Sequence, residues 1–388
     1  MKKTLVKASV FSFYMTEYGL TPESLAERAR IDAAKIKTWL SVDSDISLSR
    51  LRDLADVYKK HWSIFLLEEP SKHFKKAKDY RKKNNSPLGL EAMLAFEEAD
   101  RLVKLGNEQF GIKLSDDIVK LQMSNNDPVV LASNARKLLG VTPRVQLEWK
   151  KPELAYKYLK EALENSGIVV SEQEIKNQSL DGFTLNTSVG ASIVVNRKGQ
   201  NIYRKIFTLL HELGHLLSGE SVACETSINY SNRENELFAN SFASSFMLPP
   251  SMTNVDEILS KPSKDSTISN TTYSLLSKKY SVSMSAIAVW LRRNDYISPA
   301  ELDNKLTEFD LLFVEAQKRK EAKSKLKKGF DPKGHERKAV DRVGAVLTSR
   351  ILNDYHEGKA TIRDVASRLN VKVHLLEKVE SFIGHGNS

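Results

Sequence analysis

Two histidines and a glutamate carry the clearest chemistry in this sequence. His211, Glu212 and His215 form an H-E-x-x-H pattern inside the apolar run Phe207-Thr208-Leu209-Leu210-His211-Glu212-Leu213-Gly214-His215-Leu216-Leu217. On a helix, His211 and His215 lie one turn apart on the same face. Two imidazoles so placed can hold one metal ion, and Glu212 beside them can act as a proton acceptor. A catalytic zinc needs a third protein ligand and an open fourth position. The next histidine is His335, so the third ligand is sought among Glu220, Cys224, Glu225, Glu234 and Glu236. Glu236 is the strongest candidate. It starts a helix expected over 234–248 and closed by Pro249-Pro250, and Asn240 follows it one turn later on the same face. An amide there could orient one of the ligating imidazoles from behind. Phe238, Phe242 and Phe246 fall on another face and read as core, whereas Cys224 and Glu225 sit in a Ser-rich loop without helical period. If Glu236 is not the ligand, Glu225 or Glu234 takes its place. Tyr230 and Asn240 are the candidates for stabilising a developing oxyanion.

The elements that must position these groups follow from the change of period around them. After Gly167, the runs 168–170, 182–185 and 191–196 read as short strands separated by Gly, Asn and Asp. A small sheet therefore precedes the metal helix, which is expected over 201–217 with Ile202, Ile206, Leu209, Leu210, Leu213, Leu216 and Leu217 buried. An edge strand of such a sheet can hold an extended peptide by main-chain hydrogen bonds. Upstream, amphipathic helices are expected over 88–114, 129–139 and 152–165, the last two closed by Gly140 and Gly167.

The N-terminal 68 residues read as a compact helical unit. Helices are expected over 8–18, 22–29 and 33–40, with Thr21 and Asp32 as caps and Pro22 at a first helical position. Ser47 is expected to cap a fourth, carrying Leu48, Leu51, Leu54, Ala55 and Tyr58. A short helix, a tight turn and a second helix make helix-turn-helix spacing. Residues 72–83 hold seven Lys or Arg, with Phe74 and Tyr80 interleaved, before the break at Asn84-Asn85-Ser86-Pro87. This reads as a basic linker.

Past the metal motif, 261–269 reads as a linker and 273–293 as a second pair of helices, packed through Leu275, Leu276, Ile287, Val289 and Leu291. Lys318 to Lys338 carries ten Lys or Arg and reads as a second basic linker. Two further helices are expected between Arg342 and Phe382, where 360–372 again has helix-turn-helix spacing.

At 388 residues the chain exceeds one ordinary core, and its 41% hydrophobic and 28% charged fractions are those of a globular protein. The single cysteine, Cys224, excludes an intrachain disulfide and a cysteine-based zinc site. The run after Met1-Lys2-Lys3 is interrupted by Lys7 and lacks a cleavage site, and no apolar stretch approaches a membrane span. A cytoplasmic location is expected. The formal charge of +10 favours a polyanionic partner. It concentrates around the helical modules and not around the metal motif.

Two resemblances sharpen this reading. Leu20-Thr21-Pro22-Glu23-Ser24-Leu25-Ala26 through Ile36-Lys37-Thr38-Trp39 resembles the XRE/Cro-type DNA-binding domain. Ala29-Arg30 stand where such turns usually carry Gly, and Ala33 and Ala34 where readers usually carry Gln, Arg or Ser. That leaves Lys35, Lys37 and Thr38 as candidates for contacting DNA, suited to phosphates more than bases. The blander alternative is a bundle used for docking or dimerisation. The stretch 207–217, with Glu236-Leu237-Phe238-Ala239-Asn240-Ser241-Phe242-Ala243 and Met247-Leu248-Pro249, resembles the ImmA/IrrE family of zinc metallopeptidases. The resemblance implies zinc on His211, His215 and Glu236, Glu212 as catalytic base, and a zincin-like domain joined to helix-turn-helix modules.

The expected architecture is multidomain and mainly α, with a small α+β zincin-like domain. The expected boundaries are an N-terminal helix-turn-helix bundle (1–68), a basic linker and helical connector (69–165), the zincin-like domain (166–260), a helix-turn-helix-like pair (261–300), a charged helix and basic linker (301–340), and a C-terminal helical module (341–388). The expected function is that of a DNA-associated zinc endopeptidase that cleaves a regulator in a transcriptional, toxin–antitoxin or mobile-element system. The alternative is a DNA-binding regulator or antitoxin whose zincin-like domain binds a partner without cutting it. The expected partners are a repressor or toxin and DNA; no membrane is expected, and a homodimer is left open.

Overall fold

The computed structural model describes residues 3–69, 89–124, 127–176, 180–218, 233–249, 268–326 and 334–386. The basic run 72–83, the linker residues 261–267, and Glu220, Cys224, Glu225 and Tyr230 lie outside the described residues.

A three-stranded sheet is the frame. β3 (Ile168–Gln173), β4 (Gly182–Thr187) and β5 (Gly190–Asn196) run in the order β3-β5-β4, with β3 parallel and β4 antiparallel to β5. The strand numbering counts a small antiparallel pair near the N-terminus, β1 (Lys3–Val6) with β2 (Ser44–Ser47). The stretch read as a broken apolar leader is thus a strand.

Alternation along the strands assigns the faces. Ala191, Ile193 and Val195 join the core that contains Leu209, Leu210 and Leu213, while Val194, Phe183 and Leu185 join a core shared with the N-terminal helices. With both faces buried, β5 reads as a nearly continuous apolar run.

On the N-terminal side lie α1 (Ala8–Glu17), α2 (Pro22–Ala29), α3 (Ala33–Ser41) and α4 (Leu48–Val57). Thr21 and Asp32 cap α2 and α3 through their side chains, but Ser47 makes no side-chain cap on α4. The turn between α2 and α3 puts Arg30 in the left-handed region (φ 54°), the conformation that Gly adopts most cheaply, and then buries Ile31. Ser281-Val282 repeats this device between α12 (Asn270–Tyr280) and α13 (Met284–Arg293), and Asn370, followed by a half-buried Val371, repeats the left-handed turn after α17 (Ile362–Arg368).

α5 (Leu90–Phe110) is the beam across the sheet. Leu90, Met93, Phe96 and Ala99 pack with the N-terminal helices, while Leu102 and Val103 pack with C-terminal ones. Its rings and charges fasten the N-terminal unit: Tyr18 donates to Glu97 at 2.6 Å, Lys60 pairs with Glu97 and Arg28 with Glu91, each at 2.9 Å. The C-terminal helices α15 (His335–Val343), α16 (Ala345–His356), α17 and α18 (Leu376–Gly386) close over Val169 of β3. Beyond α15 three helices, α16, α17 and α18, stand where two were expected, because Leu376 starts a further helix after Leu369.

The opposite face of the sheet is covered by α9 (Pro152–Asn165) and α10 (Ile202–Leu217). α6 (Asp116–Met123), α7 (Pro128–Leu138), α8 (Pro143–Glu148), α11 (Arg233–Met247), α12, α13 and the start of α14 (Pro299–Leu326) complete that core. Leu275, expected in the core of the α12–α13 pair, is instead 56% exposed, because Tyr273, Leu276 and Tyr280 define the inward face of α12. The stretch 318–338, expected as a linker, is helical up to Leu326 and again from His335; neither Gly nor Pro interrupts the chain before Gly329. Buried Arg136 and Gln146 anchor the C-terminal end of α11. Arg136 donates to Phe246 O at 2.5 Å, and Gln146 to Met247 O at 2.7 Å and Tyr280 O at 3.3 Å. These are helix-end carbonyls that would otherwise lack partners. No helix of the described residues is long and apolar enough to cross a membrane.

Candidate metal centre

α10 starts at Asn201, whose side chain accepts from Arg204 N at 2.8 Å, and buries Ile206, Leu209, Leu210, Leu213, Leu216 and Leu217. That burial fixes the helix rotation, which turns His211 and His215 to the outer side. α11 crosses α10 closely because Gly214 has no side chain. A Cβ there would meet Ala239 Cα at 3.1 Å and a Phe242 ring carbon at 3.2 Å. Ala239 is one turn after Glu236, so the same approach brings the Glu236 carboxylate over the two imidazoles.

The ligand atoms of His211, His215 and Glu236 lie within 4.8 Å of one another. The two Nε2 atoms are 3.0 Å apart, Glu236 Oε2 is 3.4 Å from His211 Nε2, and Glu236 Oε1 is 3.5 Å from His215 Nε2. A tetrahedral zinc with ligand distances of about 2.0–2.1 Å spaces its donors by roughly 3.3 Å. The two nitrogens are near that spacing and each carboxylate oxygen stands at a comparable distance from a different imidazole, so the three side chains can converge on one ion; two imidazoles with a carboxylate is a donor set zinc accepts. Asn240 Oδ1 accepts from His211 Nδ1 at 3.2 Å, which leaves the Nε2 lone pair to point at the shared centre. Burial lowers the pKa of His211, and burial together with the neighbouring His211 pushes His215 down to about 4. Both rings are then in the neutral, ligating form at neutral pH. Glu234 is exposed and stands outside this group.

Glu212, next to His211 on α10, meets β4 and is only 7% exposed. Thr184 of β4 holds it: its hydroxyl lies 2.9 Å from Glu212 Oε2 and 2.8 Å from the Glu212 carbonyl oxygen. Gly182 allows β4 to come this near. A Cβ there would sit 2.6 Å from Thr208 Cγ2 and 2.7 Å from the Val194 carbonyl oxygen. Burial pushes the Glu212 carboxyl up to about 8, against the Thr184 bond, with the charges of Glu236 and Asp181 adding to the rise. Asp181 is itself held by Gln200, which donates to its carbonyl at 2.6 Å, and by Arg204. A carboxyl that binds its proton near neutrality is suited to taking a proton and giving it back.

Sequence reasoning did not find Thr184, Asp181 or Gly182. The Asp-Gly pair marked only a break between strands, and a threonine in a strand carries no signal of its distant partner. Lys35, Lys37 and Thr38 are exposed on α3, remote in sequence from this centre; Lys37 pairs with Glu23 at 2.8 Å, and the Thr38 hydroxyl donates to Ala34 O at 3.0 Å.

Residues 163–292, roughly a third of the chain, match a family of peptidases described as IrrE N-terminal-like domain. The matched segment runs from the end of α9 through the sheet and α10 to α13, and so contains every residue of this centre. At the level of the family this is a metallopeptidase-like unit. No curated protein and no solved structure matches the chain.

Proposed function

We propose that this chain is a zinc-dependent endopeptidase that cuts a regulator protein and works in association with DNA. The observation that carries the reading is the convergence of His211, His215 and Glu236, whose ligand atoms lie within 4.8 Å of one another, with Glu212 held by Thr184 beside them. His211, His215 and Glu236 would hold the ion. When bound, zinc supplies Lewis acidity, acidifying water and polarising a carbonyl.

The remaining chemistry belongs to the chain. Thr184 engages one oxygen of Glu212, so Oε1 is the one free to receive a proton from the attacking water and pass it to the leaving amine. β4 is an edge strand of the sheet among the described residues, and its main chain suits pairing with an extended substrate. Asn240 orients His211 through Oδ1, which leaves its amide nitrogen as a donor.

The DNA part of the proposal rests on the turn between α2 and α3, on the exposed Lys35, Lys37 and Thr38, and on the +10 charge. Binding carried by phosphate contacts must weaken steeply with salt. A gel-shift assay with duplex DNA checks this, and no binding at low salt refutes it.

Glu212→Gln tests the chemistry. Zinc content should remain at one ion per chain while cleavage of a proteome-derived peptide library disappears; retained cleavage would end the proposal. His211→Ala and Glu236→Ala should lose the metal. Wild-type protein that holds zinc but cuts nothing would instead favour a unit that binds its partner without cleaving it.

A further inference from the structure

α10, α11, the α12–α13 pair and α14 enclose a groove of about 1010 Å³. It adjoins the metal centre, because Phe207 and Asn240 line it and both are neighbours of His211. The Phe207 ring lies 6.1 Å from the His211 ring, and Asn240 holds His211 Nδ1. The volume is at the upper limit of ordinary small-molecule pockets, roughly 300–1,000 Å³. Its apolar lining includes Met247, Trp290 and Phe313. Thioether and aromatic side chains of this kind adapt to apolar partners. Among the described residues the polar lining is lopsided: Lys278 and Arg293, with Arg204 engaged by Asp181, stand against a single acid, Asp310.

One wall extends past the groove. The apolar stripe of α14 is buried at Phe309, but Leu311, Leu312, Phe313 and Val314 are 63%, 44%, 40% and 47% exposed. Four consecutive exposed apolar residues beside a cation-lined cleft mark a place where another chain lies. A second copy of this chain, with a formal charge of +10, would bring like charge to that rim. An acidic partner is favoured by the same field, and a cleft between helices receives an amphipathic helix through apolar residues at i, i+3, i+4 and i+7.

We propose that this groove binds an acidic amphipathic helix of the substrate protein, in the segment flanking the bond presented to the metal centre. The proposal rests on the peptidase reading for the word substrate, but the binding itself does not require catalysis.

The test uses full-length Glu212→Gln protein and fluorescence anisotropy. The probe is a labelled peptide of about 18 residues, with Leu and Phe at i, i+3, i+4 and i+7 and Glu on the opposite face. A second probe replaces every Glu with Lys. The acidic peptide should bind at least tenfold more tightly than the basic one. Phe313→Asp, and separately Lys278→Glu with Arg293→Glu, should each weaken it at least tenfold, with zinc content and melting temperature unchanged. The charge-reversal pair alters only exposed side chains, so the test survives if Phe313→Asp fails to fold. Binding of the acidic probe that persists in chelator, with no cleavage by wild-type protein, would sink the peptidase reading and leave the groove assignment standing. Equal binding of both probes, no binding of either, or indifference to the charge reversal would overturn it. So would a Phe313→Asp protein that turns from dimer to monomer with probe binding intact.

Discussion

Gly214→Ala probes the construction of the metal centre without touching a ligand. The added Cβ would stand 3.1 Å from Ala239 Cα, 3.2 Å from Phe242 Cδ1 and 3.4 Å from Ala239 Cβ. Contacts of this length require α11 to move away by a few tenths of an ångström, because the nearest obstacle is backbone. Zinc distances are held within about 0.2 Å, so such a shift moves Glu236 beyond tolerance unless its side chain turns to follow. Glu236 is about half exposed and can follow in part. The expected loss of zinc affinity is therefore about tenfold, or about 1.4 kcal/mol, and not the loss of the site. Fold stability should change less. Alanine is favoured over glycine inside a helix by about 1 kcal/mol, which offsets part of an overpacking cost of about 1–3 kcal/mol. Competition with a chromophoric chelator measures the first quantity, and denaturant unfolding in excess chelator measures the second. Zinc affinity within twofold of wild type, at unchanged stability, would show that Gly214 does not set the distance between α10 and α11.

Two further substitutions separate the proposed role of Glu212 from the scaffold. Thr184→Val removes the hydroxyl beside Glu212 and should lower kcat by roughly ten- to a hundredfold, the value of a hydrogen bond to a charged group, with zinc content unchanged. Thr184→Ser should restore most of the rate; a Val variant at full rate would exclude Thr184 from positioning the base. Glu164→Gln concerns the joint between α9 and the C-terminal helices, where Glu164 accepts from Val346 N at 2.9 Å. Burial pushes Glu164 up to about 7 in the folded chain, against 4.5 for the free carboxyl. Between those values the folded state binds the extra proton, so this residue's contribution to stability falls as pH rises, by about 3 kcal/mol in all. Glutamine carries no proton equilibrium, so the variant should gain on wild type between pH 5 and pH 8 in urea unfolding; a pH-independent difference would refute the assignment.

What the sequence made legible follows from the range of the interactions. His211 and His215 are one helical turn apart, as are Glu236 and Asn240, so local periodicity paired them within each helix, and the family resemblance joined the two pairs. The turn at Arg30 was legible as a position that wants Gly, and the backbone there is left-handed. Thr184 was not legible, because its partner Glu212 is 28 residues away and on another element. α5 was read as a connector. Its apolar stripe does not reveal that its two ends serve two different cores, since leucine and alanine look alike against any neighbour. Lys318 to Lys338 misled in the opposite sense: charge density suggested a linker, but lysine and glutamate are good helix formers and the helix continues.

The N-terminal helices, α10 and the C-terminal helices each pack with residues of one sheet, and this bears on how the centre is held. On β4, Phe183 and Thr184 are consecutive and so face opposite ways. Phe183 stacks on Phe96 of α5, centroids 4.0 Å apart and planes 17° from parallel. The neighbouring residue, Glu97, receives Tyr18 and Lys60 from the N-terminal unit. Thr184 reaches through to Glu212. The strand that holds Glu212 is thus the strand on which the N-terminal unit leans. Gly182 presses that strand against α10 so closely that a methyl group would not fit. The N-terminal helices therefore contribute to the geometry of the centre without contacting it, and a truncation that removes them exposes Phe96 and Phe183 together and loosens the support of Glu212 before any ligand is lost.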